Sequence, residues 1–133
     1  MSAKKTDSTL TPLELKIMHV LWENGPGTVG EVQAALESGL AYTTVQTMLN
    51  VLLRKGRAKR VAEGRAFRYQ AALSRERAAG SAVDDLVARM FNGSSEALLM
   101  TLVDSHQIST GELERIAQRL AARQAEDDRK EKK

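Results

Sequence analysis

Apolar residues recur at helical spacing in three blocks before residue 56, alternate across residues 58–71, and return to helical spacing in three blocks after residue 73. The first block opens with Thr11 as N-cap, Pro12 at the first helical position and Glu14 closing a capping box, with Leu10 and Leu15 spaced as a hydrophobic staple. Leu13, Ile17, Val20 and Leu21 form its buried stripe, flanked by Met18 and Trp22, and Asn24-Gly25-Pro26-Gly27 stops it. A second capping box, Thr28 with Glu31, starts a short helix with Val29, Val32 and Leu36 on one face, ending at Ser38-Gly39. In the third block, Leu40 to Gly56, the positions Val45, Met48, Leu49, Leu52 and Leu53 trace one buried stripe.

Past Gly56 the period changes. Phe67, Tyr69 and Ala71 point one way and Arg68 and Gln70 the other, which predicts a strand. Residues 58–62 predict its partner, with the hairpin turn at Glu63-Gly64. Three helices, the last two joined by a tight turn, followed by a hairpin, predict a winged helix-turn-helix. The three later blocks are helical. One opens at Ser74, carries Val83, Leu86, Val87, Met90 and Phe91, and stops at Asn92-Gly93. The next spans about Ser95 to Asp104 with Leu98, Leu99, Leu102 and Val103. The last has Ser109 and Glu112 as a capping box, a staple from Ile108 to Leu113, and a stripe of Leu113, Ile116, Ala117 and Leu120.

The expected fold is therefore mainly α, an N-terminal winged helix followed by a helical dimerisation region. The divisions are a flexible N-terminus over 1–9, a winged-helix DNA-binding domain over 10–72, a dimerisation region over 73–125, and a frayed, charged tail over 126–133. Three short helices carrying a single aromatic make a thin core for one chain. Burying their faces against a second copy resolves this, which assigns Val83, Leu86, Val87, Met90, Leu98, Leu99, Leu102, Leu113, Ile116 and Leu120 to a homodimer interface. The alternative is that these helices fold back on their own winged helix.

The polar side of the third helix carries Thr43, Thr47, Asn50 and Arg54, with Thr44 and Gln46 at its margins. These groups donate and accept hydrogen bonds without bringing negative charge, which suits them to contact with base edges. The ordinary alternative is a solvated surface helix, and the order of elements around it favours recognition of DNA. Charge points the same way. The chain totals only +3, but residues 54–68 hold seven cations against the single Glu63, leaving the remainder at −3. Lys59, Arg60, Arg65 and Arg68 place long cations on the wing, suited to phosphates or a minor groove.

Composition narrows the classes further. The chain has no cysteine, which excludes disulfides and thiolate metal sites. No apolar run approaches the ~20 residues of a membrane span, and no signal-peptide core is present; a soluble cytoplasmic protein is expected. His19 and His106 have no second ligand at metal spacing, so no metal or other cofactor is assigned. Asp84-Asp85 and Asp127-Asp128 are adjacent pairs, which diverge by about 100° on a helix and do not form an acid–base pair. No nucleophile elbow or phosphate loop occurs. Catalytic residues are therefore not assigned, and an enzyme is not expected. A protein-interaction adaptor would show an apolar hot spot on the polar side of residues 43–54, where only Val51 offers one.

The segments TPLELKIMHVLW, GTVGEV, LAYTTVQTMLNVLLRKG and RAFRYQA resemble the penicillinase-repressor family of the BlaI/MecI/CopY type, over about residues 10–122. The resemblance implies a homodimeric repressor on palindromic operators with TACA/TGTA-like half-sites in double-stranded DNA. In the antibiotic-responsive branch a membrane sensor-protease system leads to cleavage of the repressor. Thr44 and Thr47 stand where that branch has recognition-helix threonines, while Gln46 replaces a basic side chain. That branch is cut between Asn and Phe; here the corresponding pair is Thr101-Leu102. The copper-responsive branch uses C-terminal cysteine pairs, which this chain lacks. Direct control by a small ligand at the dimer interface is the alternative mode of induction.

Overall fold

The structure is a computed structural model that describes residues 10–132; the expectation for residues 1–9 lies outside it. In chain order the described elements are α1 (Pro12–Asn24), α2 (Val29–Leu36), α3 (Tyr42–Arg54), β1 (Ala58–Glu63), β2 (Ala66–Ala71), α4 (Arg75–Met90), α5 (Ser95–Asp104) and α6 (Thr110–Glu131). The chain divides into two compact units, the first ending at Asp84 and the second beginning at Asp85, so the division falls within α4.

Capping explains where the helices begin. The Thr11 N–H donates to Glu14 Oε1 at 2.9 Å and the Glu14 N–H returns a bond to Thr11 Oγ1 at 3.2 Å. Thr28 and Glu31 repeat the arrangement in α2, and Ser109 and Glu112 in α6. Each box satisfies two backbone or side-chain groups that a helix start otherwise leaves to water. The staple expected in α1 forms only on one side. Leu10 packs at the core margin, but Leu15 sits roughly 100° round from Glu14 and stays 38% exposed.

The first unit closes on Ile17, Met18 and Leu21 from α1, Val29 and Val32 from α2, Val45, Leu49 and Leu52 from α3, and Ala58 and Tyr69 from the hairpin. Each large aliphatic among them contributes about 1.5–3 kcal/mol on leaving water. Leu13, Val20, Trp22, Leu36, Met48 and Leu73 pack around that centre. One member of the buried face is charged: Glu14 is 1% exposed, at the centre of the α1 stripe rather than beside it.

β1 and β2 pair antiparallel, with Glu63 opposite Ala66. The turn is therefore Gly64-Arg65, one residue beyond the expected Glu63-Gly64. Gly64 takes φ 61° while Arg65 does not enter the positive region, the pattern of a type II′ hairpin turn that a side chain at the first position would strain. Gly27 and Tyr69 exchange two backbone hydrogen bonds of 2.8 Å, so the turn between α1 and α2 lies along β2 as a one-residue third strand. Trp22 Nε1 donates to the Leu73 carbonyl at 2.8 Å and fixes the end of the wing against α1.

Two further boundaries differ from expectation. α2 ends at Leu36 because Glu37 already turns left-handed at φ 49°, ahead of Ser38-Gly39. The charged stretch expected to fray remains helical through Glu131. Its Glu, Arg and Lys residues are strong helix formers, Glu126 and Asp128 stand four before Lys130 and Lys132, and Arg129 and Lys130 complement the dipole of the last turn.

Candidate nucleic-acid interface

α3 buries Val45, Leu49 and Leu52 and turns Thr43, Gln46, Thr47 and Arg54 to the exterior. Positions 43, 47, 50 and 54 fall within about 60° of arc on a helix, giving one polar ridge with no acidic residue in its first turn. Thr44 and Asn50 are half-buried at the edges of that ridge.

The strand register decides what each wing residue faces. Arg60 lies opposite Tyr69 and Val61 opposite Arg68, so Arg60 is on the side of the hairpin that carries the buried Tyr69. Its guanidinium lies 3.9 Å from the centre of the Phe67 ring, and Nη1 is 3.4 Å from both Asn50 Oδ1 and the Tyr69 hydroxyl. The Tyr69 hydroxyl also donates to Asn50 Oδ1 at 3.1 Å. Phe67 shares the face of Tyr69, as the alternation predicts, but lies two residues nearer the hairpin tip, beyond the helices, and remains 43% exposed. It serves there as a platform for Arg60.

Arg68 is held on the opposite side. Its Nε donates to Glu63 Oε2 at 2.6 Å and its Nη1 to Glu31 Oε1 at 3.2 Å and the Pro26 carbonyl at 3.1 Å. The hydrogen bond that Arg68 donates to Glu63, then the charges of Glu31 and Glu63, raise its pKa above the ordinary arginine value. Lys55, part of the same basic run, donates to Glu14 Oε2 at 2.9 Å. Burial pushes the Glu14 carboxyl up, but the Thr11 backbone bond together with Lys55 outweighs it and leaves the pKa below 4.5. Arg54, Lys59 and Arg65 are exposed and have no ion-pair partner among the described residues. An open hollow of about 290 Å³ lies between the α3 start and the wing tip, lined in part by Tyr42, Gln46, Arg65 and Phe67.

The model of the penicillinase repressor family matches residues 10–122. The chain is 38% identical over 99 residues to the transcriptional regulator BlaI of Mycobacterium tuberculosis, covering 71% of this chain and 72% of that one. The chain belongs to the penicillinase repressor family. It is also 25% identical over 111 residues to the penicillinase repressor of Bacillus licheniformis, covering 82% and 87% of the two chains. Among solved structures it is similar to a homodimeric winged helix-turn-helix DNA-binding domain from Mycobacterium bovis, with TM-score 0.49, 24% identity, and coverage of 65% and 77%. Family membership rests on the sequence matches alone. The family is one of transcriptional regulators, not enzymes, and this member is a winged-helix transcriptional repressor.

In this repressor the ten apolar positions expected to meet a second copy are half-buried or exposed. Val83, Leu86, Met90, Leu99, Ile116 and Leu120 are exposed, while Val87, Leu98, Leu102 and Leu113 are half-buried. The Thr101–Leu102 peptide lies in α5, where Thr101 Oγ1 donates to the Ala97 carbonyl at 3.0 Å and the Thr101 carbonyl accepts from the Ser105 N–H at 3.0 Å. His19 is exposed and meets Trp22 edge-on at 5.3 Å. Among the described residues no group of three or more acidic or histidine side chains is placed to hold a metal, and no helix is long and apolar enough to cross a membrane.

The pattern of the chain did not reveal the partners of Glu14, Asn50 and Tyr69. The one available hint is that each is polar at its tip and sits within or beside an apolar stripe.

Proposed function

We propose that this repressor acts as a homodimer in the cytoplasm, laying α3 of each protomer in the major groove at one half of a palindromic operator. The observation that carries this is the uncharged hydrogen-bonding ridge of α3 set beside the exposed cations Arg54, Lys59 and Arg65 on a winged helix. Thr43, Thr44, Gln46 and Thr47 are the candidate base readers, and the three cations are the candidate phosphate contacts. Arg60, Arg68 and Asn50 serve the interface from a fixed geometry, since each is engaged within the fold. The residues 10–72 act as the DNA-binding part and the α4–α6 helices as the dimerising part. Two winged helices held together gain effective concentration for the second half-site, which should lie about 34–36 Å from the first or a multiple of that.

Release completes the cycle. A sensor-protease cut at Thr101–Leu102 would divide α5 and with it the apolar face, but the peptide is in regular helix, so α5 must first open locally.

The test is a binding titration at two salt concentrations against DNA upstream of the protein's own gene and a scrambled control. A gap in affinity that survives the higher salt is expected. Equal, steeply salt-dependent binding to both would reduce the interface to a non-specific basic surface.

A further inference from the structure

We infer that Asn50, Tyr69 and Arg60 form a polar latch that fixes the wing on the recognition helix, and that sequence preference depends on this latch rather than on a base contact by Asn50. This rests on the repressor reading above and deepens it. Asn50 lies on the α3 ridge with Thr43, Thr47 and Arg54, and by position alone it is a base reader. Its side-chain carbonyl is instead occupied, accepting from the Tyr69 hydroxyl at 3.1 Å and from Arg60 at 3.4 Å. Arg60 is held from two sides at once, by those oxygens and by the Phe67 ring 3.9 Å below its guanidinium. The three residues come from α3, β1 and β2, so the contact joins the recognition helix to both strands of the wing.

The energetics favour a positioning role. A free arginine on a hairpin loses rotamer freedom when it meets a phosphate or groove; Arg60 is ordered beforehand, which removes that cost at the moment of binding. A hairpin of two strands is only marginally stable alone, and its angle to α3 decides whether wing and helix can touch DNA together. Tyr69 is well suited to set that angle. Its ring is in the core and the residue is 2% exposed, while its hydroxyl reaches the one acceptor on α3 that lies within range. Because it is buried, Tyr69 cannot touch DNA, and any effect of its hydroxyl on recognition must pass through the latch.

The experiment is a double-mutant cycle of Tyr69→Phe and Asn50→Ala in the full chain. It is read by amide hydrogen exchange of β1 and β2 without DNA, and by affinity for upstream and scrambled DNA at two salts. Tyr69→Phe removes one hydroxyl and keeps the ring, so the fold is retained. We expect each single variant to speed exchange in the wing and to weaken operator binding about 3- to 10-fold, the range of one internal hydrogen bond. Affinity for scrambled DNA should fall by less than operator affinity, since only the pre-ordering of Arg60 is lost there, and the salt slope should not change, because no cation is removed. The double variant should be no worse than Asn50→Ala alone. Additive effects on exchange would overturn the latch itself. Coupled exchange with unchanged preference in Tyr69→Phe would overturn its role in recognition, leaving Asn50 a base reader. If the wild-type chain fails to distinguish upstream from scrambled DNA, the repressor reading falls and the recognition role with it, while the exchange data judge the latch separately.

Discussion

Residues 10–73 and residues 75–131 both carry apolar stripes at helical spacing, yet they dispose of them differently. In the first region ten apolar side chains close on one another within a single chain, eight from the helices and two, Ala58 and Tyr69, from the wing. In the second, α4, α5 and α6 contain no fully buried residue, and Met90 is 71% and Leu120 53% exposed. Large exposed apolar surface on a helix marks a surface to be covered. In the proposed dimer, a winged helix that is complete alone and a helical region that is incomplete alone would divide the work, one reading DNA and the other joining the copies.

Several substitutions would break or sharpen that contrast. Leu49→Ala, in the core, should cost about 2–5 kcal/mol of unfolding free energy. Its melting shift should be the same at every protein concentration, checked by calorimetry over a dilution series. Leu86→Asp should instead leave the winged-helix core intact and yield monomers whose operator affinity falls by roughly 100-fold, as linked half-sites are lost; light scattering beside a titration reads both. Thr47→Ala should cost about 1–3 kcal/mol on the operator and little on scrambled DNA if a base contact is removed. Equal weakening on both would make its role positional.

Glu14→Gln tests how the winged helix is tied. Losing a charge-assisted bond to Lys55 should cost about 1.5–3 kcal/mol at neutral pH. The wild-type carboxyl has a folded pKa below its usual 4.5, so the unfolded chain binds the extra proton first. The stabilisation is present above pH 4.5 and is lost as pH falls below it through the folded value; the variant should lack that component in acid titrations. The smallest effect expected is on the wing. Arg65→Ala should lower the salt slope by about one unit, while Arg68→Ala, whose charge already faces Glu31 and Glu63, should change the slope less and stability more.

What was legible in the sequence was local. The Thr11–Glu14, Thr28–Glu31 and Ser109–Glu112 boxes each span three residues, and their geometry follows once a helix starts there. The stripe of α3 and the alternation of β2 are likewise read within one element. What was not legible joins distant positions: Glu14 to Lys55 over 41 residues, Arg68 to Glu31 over 37, Asn50 to Tyr69 over 19. Residues 54–68 hold seven cations, and nothing in their order shows which of them the fold engages. The fold commits Lys55 to Glu14, Arg68 to two carboxylates and Arg60 to Asn50, and the exposed set includes Arg54, Lys59 and Arg65. The turn displaced to Gly64-Arg65 has the same origin, since register depends on which residue of the opposite strand is met.

The division of work between the two regions is tested most directly by sedimentation equilibrium of the full chain, alone and on operator DNA. A species of twice the 14.6 kDa chain mass, and two chains on each operator, are expected. A 14.6 kDa monomer that binds the operator one chain at a time, with no gain from the second half-site, would contradict it.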